Sequence, residues 1–189
     1  MILGCMAIIV SLLRGINVGG AHKVKMDDLR ALYESLGMRN AQSYIQSGNV
    51  VFETGRKDLR KLSAGLNDAI EQRYGFRADA VLRTLAEMKE LLAANPFAAR
   101  NVDPARNVVI FLAGQLSPEE GAAMRSLCAA PEELHSDGRH LHCHFPDGMG
   151  RSKLPMTIEK QLKKLKIVGT GRNWNTVLKL IEIAETLKT

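Results

Sequence analysis

Hydrophobic and polar residues along this chain fall into blocks whose period switches from strand-like to helix-like and back. Met6 to Leu13 is an almost continuous apolar run, which reads as a strand covered on both faces. Met26, Leu29, Leu32, Tyr33 and Leu36 then recur at helical spacing up to Gly37, a C-terminal stop. "QSYIQSGNVVFE" supplies two short β-rich runs joined at Ser47-Gly48, a dipeptide suited to a tight hairpin. Leu59, Leu62, Leu66, Ile70 and Tyr74 mark a second helix, and Ala78 to Leu82 a closing strand. The order is βαββαβ, the split βαβ of ferredoxin-like domains.

The second half repeats this grammar in part. Thr84 with Glu87 forms a capping box that opens a connecting helix toward Pro96. A strand at Val108 to Leu112 precedes a helix announced by Ser117, Pro118 and Glu120. Two strands, Glu132 to His135 and His140 to Phe145, are hinged at Asp137-Gly138. A basic helical segment around Ile158 to Leu165 and a last helix from about Trp174, with Val177, Leu178, Ile181 and Ala184 inward, complete the chain. The expected class is α+β: a ferredoxin-like domain over 1–84, then a second, similarly built α+β domain over 85–189 with basic C-terminal helices.

Composition narrows the class little, since 46% hydrophobic and 24% charged residues are ordinary globular values. The N-terminal "MILGCMAIIVSLL" lacks a positive n-region and falls short of a bilayer span, so it reads as strand rather than signal or anchor. Cys5, Cys128 and Cys143 are odd in number and scattered, as expected of reduced thiols in a cytoplasm.

Charge changes the picture more. Residues 139–189 hold 10 Lys and Arg against 4 Asp and Glu, so the whole net charge of +6 lies in the last quarter. An anionic partner, a nucleotide or nucleic acid, fits that excess, and so does a solvated helix face. In a βαββαβ sheet the first and third strands are central and antiparallel. The loop "RGINVGG" and the hairpin "QSGN" must therefore meet at one sheet edge, where Tyr74 to Arg77 also arrives. Glycines there admit positive φ and uncover N–H groups, and the next helix presents its positive end. Arg14, Gly15, Asn17, Gly19, Gly20, Lys23, Lys25, Gln46, Ser47 and Asn49 are the candidate ligand-binding residues of that edge. The loop lacks the GK[ST] ending of a P-loop.

"GTGRNWNT" offers a second anion site, with Arg172 beside Asn173 as helix cap and Trp174 either stacking on a ring or anchoring the helix. "PDGMGRSKL" adds Arg151 and Lys153 in a basic loop. His140, His142 and His144 share one face of a strand, while Cys143 points the other way. Neighbours two apart are ~7 Å distant along a strand, so a half-exposed polar face is expected rather than a zinc site. No Ser-His-Asp order, CxxC pair or HExxH is present, and neither a catalytic residue nor a cofactor can be assigned.

"LLRGINVGG", "KVKM", "YIQSGNVVF", "GRSKL" and "GRNWNTVLKL" together resemble the bacterial family called Domain of Unknown Function 1697, over residues 6 to 185. The resemblance implies a small cytoplasmic α+β protein and no particular activity. It also places the usual family start near Met6, which makes Met6 an alternative to Met1 as initiator. An enzyme acting on an acyl-phosphate substrate, with Arg14 stabilising oxygens and Asn49 orienting water, is the alternative function by fold analogy. A protein interaction module without small ligand is a third.

Overall fold

The structure, a computed structural model, describes residues 6–20, 22–100 and 102–187. Expectations about Met1 and Cys5 concern residues outside that set. The chain is α+β and divides into two compact units, one running to Glu90 and resuming at Lys179, the other Leu91–Leu178. Each holds a four-stranded antiparallel sheet, and the two halves are similarly built.

The first unit contains β1 Ala7–Leu13, α1 Met26–Ser35, β2 Arg39–Tyr44, β3 Asn49–Thr54, α2 Leu59–Tyr74 and β4 Ala80–Thr84. Its strand order is β2-β3-β1-β4, with Val10 opposite Val51 and Leu12 opposite Val81, an arrangement compatible with a ferredoxin-like fold. The apolar run of β1 is buried on both faces, as a central strand requires. Ile9 and Leu13 join Val50, Phe52, Ala80 and Leu82 beneath Leu29 and Tyr33 of α1 and Leu62, Leu66 and Ile70 of α2. Each of the buried valine, leucine, isoleucine and phenylalanine side chains contributes about 1.5–3 kcal/mol by leaving water. The polar exception is satisfied: Ser11 Oγ hydrogen-bonds Tyr33 Oη at 2.8 Å. Asp58 caps α2 by accepting from the N–H groups of Arg60 and Lys61, and Gly75 at φ +75° ends it.

The second unit contains β5 Asn107–Leu112, α4 Pro118–Ser126, β6 Glu133–Ser136, β7 His140–His144, α5 Leu154–Lys164 and β8 Gly169–Asn173. The order β6-β7-β5-β8 matches that of the first sheet. α3 (Leu85–Ala93) connects the halves, and α6 (Trp174–Thr186) ends the chain. Both capping boxes form: Thr84 exchanges hydrogen bonds with Glu87, and Ser117 with Glu120. Met124, Leu134, Leu141, Phe145, Ile158 and Leu162 make the core, with Cys143 among them and its thiol pushed up to about 12 by burial.

Three expectations need correction. β8 stands where a loop is expected, because "GTGRN" has two glycines and only Thr170 as a β-branched residue. Gly169 serves packing, since a Cβ there would stand 2.8 Å from Leu162 Cδ1. On α6, Leu178 is exposed and Leu180 takes the inward position between Val177 and Ala184. The histidine strand is buried rather than half-exposed, with His140, His142 and His144 all below a tenth exposed.

Candidate functional site

The first sheet brings its loops together at one edge. Leu13 N–H donates to Gly48 O and Arg14 N–H to Asp79 O, both at 2.9 Å, so the hairpin and the approach to β4 flank the end of β1. Residues 14–20 and 22–25 then leave the sheet and are pinned by Asn17. Its Nδ2 donates to Val24 O at 3.0 Å and to Gln46 O at 2.7 Å, and its Oδ1 accepts Val24 N–H at 2.8 Å. Asn17 thereby ties the loop both to itself and to the hairpin. His22 Nδ1 hydrogen-bonds Gly15 O, and the His22 ring stacks on Phe76 at 4.2 Å. Three non-glycine residues here, Asn17, His22 and Ile45, hold φ between +50° and +54°. Such backbone is costly and persists where surrounding contacts enforce it.

This geometry sorts the expected residues. Asn17 and Asn49 are structural: Asn49 is fully buried and its Nδ2 donates to Tyr44 O and Ser47 Oγ. Ser47, the acceptor of that bond, belongs to the same turn. Arg14 is half-buried at the end of β1. Gly15, Gly19, Gly20, Lys23, Lys25 and Gln46 line the exposed rim. Neither Lys23 nor Lys25 makes an ion pair among the described residues. Beside them Val18 is 66% exposed and Ile45 49%. The positive end of α1 is not open in the way expected, for Asp27 and Asp28 occupy its first turn and already offset the dipole.

The second expected anion site is not formed. Arg172 lies on β8 opposite Val109, buried, with Nη1 donating to Thr170 Oγ1 and Gly171 O at 2.8 Å each. Burial pushes its guanidinium down to about 10. A strand residue alternates faces, and the two glycines beside Arg172 take the helix side, so its side chain goes to the other face. Asn173 does cap α6, its Oδ1 accepting Asn175 N–H and its Nδ2 donating to Ala105 O. Trp174 is an anchor, 6% exposed. Lys153 is exposed at the start of α5, and Arg151 ends a one-turn 3-10 helix at Met149–Arg151 beside a polar cavity.

The same buried face of the second sheet carries the histidines. Asn107 pairs across from His144, Val109 from His142 and Phe111 from His140. His144 Nδ1 hydrogen-bonds Asn107 Oδ1 at 2.7 Å, and His140 Nδ1 meets Asp137 Oδ2 at 2.8 Å. His142 Nε2 stands 3.5 Å from that oxygen, and neither of its ring nitrogens has a hydrogen-bond partner. No three His, Cys, Asp or Glu side chains among the described residues converge as metal ligands. Sequence reasoning missed Arg106, Glu132 and Asp147 beside the cavity, because no spacing along the chain links them. No helix among the described residues is long and apolar enough to cross a membrane.

Comparison with known proteins gives a family but no chemistry. The family model described as Protein of unknown function (DUF1697) matches residues 6–142. The motifs "GRSKL" and "GRNWNTVLKL" lie beyond that span. Among solved structures, conserved bacterial protein SP0830 from Streptococcus pneumoniae is 26% identical, with a TM-score of 0.69, covering 95% of this chain and 99% of its own. No curated protein matches the sequence.

Proposed function

Because the chain belongs to the DUF1697 family of unknown function, we propose its role from the site alone: it binds a phosphate-bearing ligand, a nucleotide or nucleic acid, at the edge of the first sheet. The observation that carries this reading is the convergence of residues 14–20 and 22–25, the hairpin turn and Phe76, which leaves Lys23 and Lys25 exposed, without an ion pair among the described residues, beside an imidazole-phenyl stack. Ammonium groups attract phosphate, and the open glycines let an anion approach the backbone. The sheet face itself is a poor platform for RNA. Val10, Leu12 and Val51 on it are fully buried, where stacking would need exposed rings.

Titration of a fluorescent single-stranded oligonucleotide and of a fluorescent ATP analogue, from low to physiological salt, tests the proposal. Binding of at least one is expected at low salt and weakens in Lys23→Gln/Lys25→Gln. For the oligonucleotide the salt slope falls by about 0.7 per lysine lost. No binding of either probe at low salt overturns it. Exposed Val18 and Ile45 on the same edge favour a second reading, a protein-docking surface. The acyl-phosphate enzyme is not carried further, since Asn49 is buried and its amide is committed to the turn.

A further inference from the structure

The second unit holds a cavity of about 460 Å³, lined among others by Arg106, Glu132, Asp147, Gly148, Arg151 and Ser152. Its volume lies within the range of small-molecule sites. Four of these side chains are charged, two of each sign, and none makes an ion pair or side-chain hydrogen bond among the described residues. The neighbouring residue shows the contrast. Glu133 accepts from both Nη1 and Nη2 of Arg100 at 2.8 Å each, and that fork holds its carboxyl below the ordinary range.

The rim is fixed by backbone. Phe145 N–H donates to Arg106 O and Gly148 N–H to Phe145 O, both at 2.9 Å, while Ser152 N–H donates to Met149 O at 3.1 Å. Gly148 has φ +87°, and a Cβ there would sit 2.6 Å from Arg106 Nη1, so only glycine lets that guanidinium lie against the loop. A simple anion entering the cavity meets two carboxylates, and a simple cation meets two guanidinium groups. A ligand bearing both charges satisfies all four. Arginine forks match carboxylate geometry, and carboxylates accept from ammonium.

We propose that this cavity binds a compact zwitterion of amino-acid or dipeptide size, its carboxylate on Arg106 and Arg151 and its ammonium on Glu132 and Asp147. The site is separate from the phosphate-binding edge, and neither proposal depends on the other.

The test is an NMR titration of the ¹⁵N-labelled full chain with alanyl-alanine, set against acetate and methylammonium at equal ionic strength. Saturable shifts of the Gly148, Gly150 and Ser152 amides are expected with the dipeptide, and far weaker ones with either half-charge probe. Arg151→Gln and Glu132→Gln should each weaken the dipeptide about tenfold. Their α4 amides should stay in place, which verifies folding. Three results each overturn the proposal: no saturation with the dipeptide, equal shifts with acetate or methylammonium, or undiminished dipeptide affinity in both folded variants.

Discussion

The two halves share a scaffold and finish the same edge differently. In the first, β1 ends with Leu13 N–H on Gly48 O and Arg14 N–H on Asp79 O. In the second, β5 ends with Leu112 N–H on Arg139 O at 3.0 Å and Ala113 N–H on Val168 O at 2.8 Å. Beyond this matched pair of cross-links the chain spends residues 14–25 reaching α1, but only 113–117 reaching α4. The short connection ends in a complete capping box at Ser117, whereas the long one ends at Lys25 without any side-chain cap. Five residues suffice to close this geometry. The additional length, the positive-φ residues and the uncapped lysine are therefore features of a loop shaped for something besides stability.

The comparison can be broken first at the two hairpin glycines. Gly48 has φ +73°, and a Cβ would lie 2.7 Å from Ile16 Cδ1 and 2.8 Å from Leu13 Cβ. Gly138 has φ +90°, but its Cβ would meet only Leu116 O as closely as 3.3 Å. Gly48→Ala combines backbone strain with overpacking and should cost roughly 2–5 kcal/mol, against roughly 1–3 for Gly138→Ala. The tyrosines, Tyr33, Tyr44 and Tyr74, all lie in the first unit and the sole tryptophan in the second. Urea unfolding followed by tyrosine and tryptophan signals therefore reads the two losses separately. Equal losses would mean that the long loop does not pack on its hairpin more tightly than the short one.

That packing was partly legible in the sequence. The alternation of apolar periods was enough to find β1, both hairpins and the helices, and strand order then required the loops to converge. What spacing could not convey was the use of each polar side chain. Asn17 and Asn49 look alike as ligand donors, yet their amides staple the backbone, which only the folded path of the chain reveals. β8 was hidden because two of its five residues are glycines, and one of them, Gly169, serves the approach of Leu162 rather than strand propensity. Burial of the histidine face was also illegible, since His-x-His-x-His is the pattern of a half-solvated strand.

The hairpin turns differ in charge as well as in packing. Asp137 in the second unit has no acidic counterpart in residues 45–48 of the first. Burial opposes ionisation of Asp137, but the hydrogen bond from His140, the approach of His142 and the backbone N–H of Arg139 outweigh it, holding the carboxyl well below the usual range. A depressed folded value means that its contribution is complete above the unfolded carboxylate value near 3.9 and is lost as pH falls below that. Trp174 fluorescence should thus report acid-induced loosening of the second unit below about pH 4, and Asp137→Asn should lower stability at neutral pH while flattening that acid limb. An acid limb unchanged in Asp137→Asn would place the sensitivity elsewhere.

The smallest effect is the most pointed, because it sets stability against binding at one position. Lys25 stands at the N-cap of α1 with φ −73° and ψ 134°, the extended geometry that a capping serine adopts, yet it supplies no side-chain acceptor. Ser117 holds the equivalent place before α4 and does supply one. Lys25→Ser should therefore stabilise the first unit by roughly 0.5–1 kcal/mol, by supplying the first turn with a side-chain acceptor that the lysine lacks. If the lysine is kept for an anionic ligand, the same variant should bind the fluorescent ATP analogue or oligonucleotide several-fold more weakly at low salt, a loss that shrinks as salt rises. A gain in stability with undiminished binding would leave the lysine without a role. A loss of stability would show that the extended residue before α1 is not free to act as a cap, and the contrast between the two loops would then be one of length alone.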